Sequence, residues 1–153
     1  MVNQLSPNRS IGLASHAATD PFADSPWRNI SEAEWKKRLA PVAFGVLRRE
    51  ATEAPGANPL NTEHRDGLFV CAGCELPLFK SEWKFDSGTG WPSFFEVFHE
   101  NIATKPDNQL DGERIEYHCA RCLGHQGHIF HDGPNPTGLR HCNDGGALRF
   151  LPA

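Results

Sequence analysis

The sequence has no long hydrophobic run and no cluster of basic residues, and these absences argue against two classes of protein. No stretch approaches the ~18 consecutive apolar residues of a membrane-spanning helix. The formal net charge is −4, and basic residues are not interleaved with aromatic ones, so no nucleic-acid partner is expected. The first ten residues, MVNQLSPNRS, contain neither the basic nor the apolar segment of a signal peptide, which predicts a cytoplasmic location.

Long stretches without helix breakers are scarce as well. The chain of 153 residues contains 14 Gly and 12 Pro, and only 39% of its residues are hydrophobic. Such a composition favours short strands joined by turns. The length predicts a single domain over residues 28–153, preceded by a poorly ordered polar arm over residues 1–27, which Phe22 and Trp27 would anchor. Within the domain we expect a helical lead-in over residues 28–50 and a β core over residues 67–151.

Two short helices are predicted in the lead-in. Ser31 and Glu34 have the spacing of a capping box, which places the start of a helix at Ser31. Trp35 lies on the apolar face of that helix. Pro41 ends the first helix and can begin a second one, predicted over residues 42–49.

The β core is predicted from short runs that are rich in β-branched and aromatic residues. These runs cover residues 68–71, 77–79, 93–98, 114–119, 128–130 and 147–151. Glycine, proline, asparagine and aspartate separate them, as expected for turns. The sequence therefore predicts a mainly β domain with short N-terminal helices.

Four of the five cysteines form two C-x-x-C pairs: Cys71 with Cys74, and Cys119 with Cys122. Each spacer lets both thiolates face one ion, and two such pairs make a closed tetrahedral site, so we predict one structural zinc ion, with iron at the same site as an alternative. The interval between the pairs exceeds the ~15–20 residues of a compact zinc ribbon, and the ion would tie distant strands together. The alternative is two redox-active pairs, but a thioredoxin-like pair requires a βαβ context that the sequence lacks.

The fifth cysteine, Cys142, remains outside these pairs. Its segment, TGLRHCNDGG, is polar and rich in glycine, which does not suit a core strand. If the segment is a strand, Arg140 points to the same face as Cys142 and would favour the thiolate over the thiol. A reactive thiol is the interpretation we favour, and a buried inert cysteine is the alternative.

Two further features accompany this cysteine. His125 and His128 lie in a run flanked by glycine, and either could be a general acid or a metal ligand, whereas His131 reads as part of a solvated loop. Trp91 stands between Gly90 and a proline, which suggests an aromatic wall for an apolar or thioether ligand. The alternative for Trp91 is an ordinary core aromatic residue.

These motifs, in this order, resemble those of the methionine-R-sulfoxide reductases of the MsrB type. The resemblance covers residues 67–150 and also includes the helical lead-in. Its motifs are C-A-G-C at 71–74, L-F-K-S at 78–81, K-F-D-S-G-T-G-W-P-S-F at 84–94, R-I-E-Y-H-C-A-R-C at 114–122, G-H-Q-G-H-I-F-H-D-G-P at 124–134 and P-T-G-L-R-H-C at 136–142. It implies a β-tent-like fold of two antiparallel sheets anchored by zinc. It also implies reduction of the R epimer of methionine sulfoxide, in proteins and as the free amino acid, since each epimer has its own enzyme.

The resemblance also implies a role for individual residues. Cys142 would be the nucleophile, which becomes a sulfenic acid and is restored by a thiol donor, expected to be thioredoxin. The residues that would set its ionisation and handle the sulfoxide oxygen are His125, His128, Asp132 and Arg140. The residues that would bind the substrate are Trp91, Phe94 and Asp144. The protein is expected to be a monomer.

The chain departs from the family pattern at four positions. His141 stands where the family usually has tyrosine, Asp144 where asparagine is common, and Gln126 where leucine is usual. A carboxylate at position 144 would raise the pKa of the thiol unless Arg140 neutralises it. Thr89 occupies the position of the common resolving cysteine, so we predict that an external thiol attacks the sulfenic acid directly.

Two other functions fit the same motifs. A zinc-anchored β module could bind a ligand in the pocket of Trp91 without any chemistry, because fold alone does not decide function. A degenerate, inactive reductase is the other alternative, suggested by His141 and Asp144. Cys142 and its charged neighbours favour the reductase, since a binding module has no need of a reactive thiol.

Overall fold

The computed structural model describes residues 20–107 and 114–153. Most of the arm predicted over residues 1–27 lies outside these ranges. Its last part is described: Phe22 and Trp27 pack against the hydrophobic core, and the ring of Trp27 stacks on Trp35 at 6.0 Å between centroids. Within the described ranges, no helix combines the length and the apolar character needed to cross a membrane.

Two helices form the lead-in, as predicted. Helix α1 covers Glu32–Arg38, and the Ser31 hydroxyl accepts a hydrogen bond from the backbone N–H of Glu34 at 3.1 Å. Helix α2 covers Pro41–Arg49 and begins with its proline, where the missing N–H costs nothing. Trp35 from α1 is almost wholly buried, so the lead-in covers the core rather than extending into solvent.

Nine strands in the described part of the chain make two antiparallel sheets. The strands are β1 (Gly67–Cys71), β2 (Pro77–Lys80), β3 (Lys84–Phe85), β4 (Ser93–Phe94), β5 (Ile102–Asp107), β6 (Arg114–Cys119), β7 (His125–Phe130), β8 (Arg140–Asn143) and β9 (Leu148–Pro152). The smaller sheet has the order β2-β1-β9 and the larger one the order β3-β4-β8-β7-β6-β5. The mainly β architecture with two antiparallel sheets and short N-terminal helices is confirmed.

The strand predictions differ from the structure mainly in the larger sheet. Strands β3, β5 and β8 were not among the predicted runs. Strand β5 was missed because its sequence IATKPD is polar and contains Pro106, which is tolerated only on an edge strand. The run predicted over residues 93–98 shortens to the two residues of β4. The core between the sheets is aromatic, with Phe79 stacked on Phe94 at 3.9 Å and Phe69 edge-on to Phe94 at 5.0 Å between centroids.

Candidate active site

A row of polar side chains crosses the larger sheet at Cys142. Ser93 of β4 pairs with Cys142 of β8, Cys142 pairs with His128 of β7, and His128 pairs with Glu116 of β6. Directly paired residues of antiparallel strands project to the same side of the sheet, so these four side chains are neighbours. We call this side of the larger sheet the reactive face.

Both histidines of the glycine-flanked run lie close together because strand β7 contains a bulge. Residues three apart in a regular strand point to opposite faces. Here Tyr117 pairs with Gly127 and His118 pairs with His125, which leaves Gln126 as the extra residue of a bulge. The rings of His125 and His128 consequently meet edge to face, with their centroids 5.6 Å apart.

Cys142 is half-buried, and its environment keeps the thiol protonated in the resting state. Burial raises the pKa of the Cys142 thiol above its ordinary value, although the guanidinium of Arg140 lowers it; the carboxylate of Asp144 adds to the rise. Arg140 therefore acts in the expected direction but does not by itself make Cys142 a thiolate. The thiol has to lose its proton during the reaction.

Arg140 is itself held in place by two neighbours. Its guanidinium donates to both carboxylate oxygens of Asp132, at 2.8 and 3.1 Å, and lies over the ring of Phe130 at 4.3 Å. The hydrogen bonds from Arg140 lower the pKa of the exposed Asp132 carboxyl. Asp132 thus orients Arg140 and offsets part of the charge that Arg140 presents to Cys142.

His125 is buried between two carboxyl groups. Its Nδ1 lies 2.6 Å from Oε2 of Glu116, and its Nε2 lies 3.9 Å from Oδ2 of Asp144. Oε1 of Glu116 is 3.2 Å from Nδ1 of His118. Burial opposes the ionisation of Glu116, but the hydrogen bonds from the two histidines outweigh it, and the pKa of this carboxyl is lowered to about 2.

Asp144 lies just beyond strand β8 and is almost fully buried. Burial raises the pKa of its carboxyl to about 6, although a hydrogen bond from the backbone N–H of Glu53 lowers it. That N–H donates to Oδ1 at 3.1 Å. Asp144 can therefore change its charge near neutral pH, beside His125.

Trp91 borders the site and is partly exposed. Its indole Nε1–H donates to the backbone oxygen of Glu53 at 3.1 Å. The loop that contains Glu53 therefore holds both Trp91 and Asp144. Partial exposure of Trp91 is compatible with an aromatic wall, and that role stays a prediction.

Phe94 and His141 do not lie on the reactive face. They pair with each other across β4 and β8, one position from the pair formed by Ser93 and Cys142, and so project into the core. Phe94 has no exposed surface. His141 donates from Nδ1 to the backbone oxygen of Phe94 at 3.2 Å, and burial lowers the pKa of its imidazole. The structure places Phe94 in packing rather than in an open substrate site, and it places His141 away from the thiol of Cys142.

The four remaining cysteines form a single buried cluster, which we call the cysteine quartet: Cys71, Cys74, Cys119 and Cys122. Their Sγ atoms all lie within 4.8 Å of one another, with separations of 3.7 Å for Cys71–Cys122 and 3.5 Å for Cys74–Cys119. A tetrahedral ion with metal–sulfur bonds of ~2.3 Å requires sulfur separations of about 3.8 Å. Four thiolates with this spacing fit a structural metal ion and leave no coordination position for a substrate.

A buried polar network connects the cysteine quartet to strand β8. The side chain of Gln126 donates to Sγ of Cys71 at 3.4 Å and accepts from Nδ2 of Asn143 at 3.1 Å. Asn143 also accepts from the hydroxyl of Tyr117 at 2.6 Å. Since Asn143 follows Cys142 directly, strand β8 carries the reactive cysteine and is also hydrogen-bonded, through Gln126, to the cysteine quartet.

Sequence reasoning missed two residues that organise the site. Glu116 joins His125 and His118, and Glu53 holds Trp91 and Asp144 through its backbone. One feature of the sequence could have identified Glu116: it is a charged residue inside a predicted strand, two positions before His118. Glu53 carries no such feature, because it holds Trp91 and Asp144 through the backbone atoms of a loop.

Comparisons with known proteins agree with this arrangement. The SelR domain model matches residues 39–152. The chain is 46% identical over 123 residues to "Peptide methionine sulfoxide reductase MsrB" of Bradyrhizobium diazoefficiens, covering 80% of this chain and 88% of the relative. It is 44% identical over 129 residues to the protein of the same name in Agrobacterium fabrum, covering 84% and 96%.

A plant relative and one solved structure complete the comparison. "Peptide methionine sulfoxide reductase B5" of Oryza sativa subsp. japonica is 46% identical over 132 residues, covering 85% of this chain and 96% of the relative. The solved structure, the "Yippee-like" domain of Mis18, superposes with a TM-score of 0.48 at 14% identity, covering 58% of this chain and 98% of that chain.

Proposed function

Because this chain belongs to the SelR-domain family of MsrB-type methionine sulfoxide reductases, we propose that it reduces the R epimer of methionine sulfoxide to methionine, with Cys142 as the nucleophile. One observation from the structure supports this proposal in addition to family membership. The only cysteine outside the cysteine quartet is directly paired with His128 and lies on the same face as Glu116 and His125. A sulfur nucleophile and proton-carrying groups are thus adjacent.

The first step is an oxygen transfer from sulfur to sulfur. The Cys142 sulfur attacks the sulfoxide sulfur and forms a transient sulfur–sulfur bond. The oxygen then passes to the Cys142 sulfur while this bond and the sulfur–oxygen bond of the substrate break, which leaves a Cys142 sulfenic acid. Two electrons pass from Cys142 to the substrate, which leaves as the thioether. A histidine on the reactive face supplies a proton to the oxygen, and the proton of the thiol balances it.

Substrate binding falls to the partly exposed ring of Trp91, which would contact the methyl group of the sulfoxide side chain. Sulfur–aromatic contacts contribute about 0.3–1.5 kcal/mol, and an apolar wall excludes water from the reacting sulfur. The bond from Trp91 to Glu53 fixes the ring in this position. The substrate would be methionine sulfoxide in proteins or as the free amino acid.

Recycling of Cys142 requires an external thiol, and thioredoxin is the donor we propose. The other four cysteines are held in the quartet, and Thr89 bonds to the hydroxyl of Ser87 at 2.8 Å instead of offering a second thiol. The external thiol attacks the sulfenic acid, releases water and forms a mixed disulfide, which a second thiol reduces. Peptide mapping after one equivalent of sulfoxide, without reductant, checks this. A high-yield disulfide between Cys142 and another cysteine of the chain would contradict it.

We propose zinc as the ion of the cysteine quartet, since four thiolates suit this metal. Arg48 and Arg121 donate to the backbone oxygens of Cys122 and Cys74, and place positive charge beside the thiolates. The ion would hold the strands and take no part in the reaction. Elemental analysis should find about one zinc per chain.

Steady-state turnover tests the proposed activity. With dithiothreitol as reductant, the wild type should convert the R epimer and leave the S epimer unchanged, and Cys142→Ser should convert neither. Turnover with a thioredoxin system should exceed that with dithiothreitol at equal thiol concentration. Equal turnover of both epimers, or unimpaired turnover by Cys142→Ser, would contradict the proposal.

A further inference from the structure

Glu116 is the most buried charged side chain on the reactive face, with 3% of its surface exposed. Glu116 lies inside the motif R-I-E-Y-H-C-A-R-C, but the reaction just described gives it no role. We propose that Glu116 is a positioning residue of the reaction, which fixes the ring of His125 through Nδ1 so that Nε2 is the atom that delivers the proton. This inference rests on the proposed function, because it concerns the same proton transfer.

Both oxygens of the Glu116 carboxylate are engaged, so its orientation is fixed. Oε1 is 3.2 Å from Nδ1 of His118, and Oε2 is 2.6 Å from Nδ1 of His125. An ionised carboxylate only accepts hydrogen bonds. The Nδ1 atoms of both histidines are therefore the donors, which leaves Nε2 of His125 facing Asp144 at the end of strand β8.

His128 is less suited to deliver the proton. The guanidinium of Arg114 lies 3.3 Å from Nε2 of His128. Because a guanidinium only donates, Nε2 of His128 is the acceptor in this bond and carries no proton there. His125 has the opposite arrangement, with a carboxylate on one nitrogen, which also stabilises the charge that the ring carries when both nitrogens hold protons.

The step balances without an added reactant. His125 gives the proton on Nε2 to the oxygen that leaves the substrate sulfur, and the proton that the Cys142 thiol loses returns to Nε2 of His125. Glu116 keeps its charge throughout and exchanges no proton. A cavity of about 250 Å³ is bordered by Glu116, His118 and His125, and Cys142 does not line it.

The variant Glu116→Gln tests the inference, since it keeps the size of the side chain and removes its charge. General acid catalysis contributes about 10²- to 10⁴-fold, so the loss of its positioning group should slow methionine release in a single turnover by at least about tenfold. KM for the sulfoxide should change less than about twofold, because Glu116 does not touch the substrate. The control is Glu96→Gln, which removes a second carboxylate–histidine bond of 2.6 Å, to His99 on the surface, and should leave the rate unchanged.

A second measurement uses the wild type and so does not depend on how well the variant folds. Nitrogen-15 NMR of the wild type, with the His125 signals assigned by their loss in His125→Asn, should show a proton on Nδ1 of His125. Suppose that the wild type is active and Cys142→Ser is not. An Nδ1 without a proton in the wild type, or an unchanged rate in Glu116→Gln, would then overturn this inference and leave the proposed function standing. An inactive wild type would overturn the proposed function and this inference together.

Discussion

Cys142 is well placed to act as a nucleophile, but its surroundings disfavour the thiolate that a nucleophile requires. It lies opposite His128 and beside Arg140, yet burial keeps the pKa of its thiol above the ordinary value. The strand period correctly predicted that Arg140 and Cys142 share a face, because β8 is a regular strand. The same period places His141 in the core, so its departure from the family pattern does not touch the thiol. Burial at this position could not be inferred from a polar, glycine-rich segment.

Alkylation of the free thiol checks this balance of charge and burial. Iodoacetamide should modify Cys142 slowly at pH 8 and faster as the pH rises above 9, because only the thiolate reacts. Arg140→Gln should slow the reaction at pH 8 by about 3- to 10-fold, since a cation that lowers the pKa of Cys142 is lost. The control Arg149→Gln removes an exposed cation paired with Glu75 and should have no effect. Faster alkylation of Arg140→Gln would contradict the account.

Asp144 makes the stability of the protein depend on pH. Burial raises the pKa of this carboxyl to about 6 in the folded protein, against about 3.9 in the unfolded chain. The stability it contributes is therefore present below about pH 4 and is lost as the pH rises through about 6. Asp144→Asn keeps the oxygen that accepts from Glu53 and never ionises, so urea unfolding should find it more stable than the wild type by about 2 kcal/mol at pH 8. The difference should vanish at pH 4, and an equal gain at both pH values would argue against burial of the charge.

The bulge in strand β7 is a feature of the secondary structure that could not be predicted from the sequence. The histidine spacing of three residues predicts opposite faces in a regular strand, and only the bulge at Gln126 brings His125 and His128 together. A bulge depends on pairing with a distant strand, which a single sequence does not reveal. The link between Glu116 and His125 was hidden for the same reason. The two C-x-x-C pairs, by contrast, could be interpreted as metal ligands from the sequence, because the two-residue spacing within each pair is local and lets both sulfurs face one ion.

Gly127 allows strands β7 and β8 to approach each other beside Cys142. A Cβ atom at this position would lie 1.9 Å from the backbone oxygen of Cys142, so Gly127→Ala must push the strands apart. We expect a loss of about 1–3 kcal/mol in the free energy of unfolding and a large loss of turnover. The matched change Gly45→Ala in α2 meets only Ala51 at 3.6 Å and should stabilise the protein by about 0.5–1 kcal/mol. Melting curves and assays of both variants decide this, and an active, stable Gly127→Ala would contradict the strand geometry.

The metal site ties the two sheets together. Cys71 ends β1 of the smaller sheet, and Cys119 ends β6 of the larger one. The apolar core between the sheets is small and aromatic, and Gln126 extends the support from Cys71 to the strand of Cys142. An ion in the quartet would therefore hold the two sheets in alignment, and the reactive face would depend on that alignment.

Removal of the metal should consequently unfold the protein rather than merely inhibit it. Treatment with a strong chelator should abolish the cooperative melting transition, and readdition of the metal should restore it, because the free energy of metal binding is free energy of folding. Cys142→Ser is the control, since it should bind the same amount of metal as the wild type and lose the transition in the same way. A chelated protein that melts at the wild-type temperature would contradict a structural role for the quartet.

In the proposed reaction, Cys142 takes the oxygen from methionine-R-sulfoxide. A single turnover without reductant measures this step, with methionine quantified by chromatography and the protein by mass spectrometry after trapping of sulfenic acids. We predict one methionine per chain, one sulfenic acid on Cys142 in the same amount, and no product from Cys142→Ser. Methionine release without a modified Cys142, or equal release by Cys142→Ser, would contradict the claim.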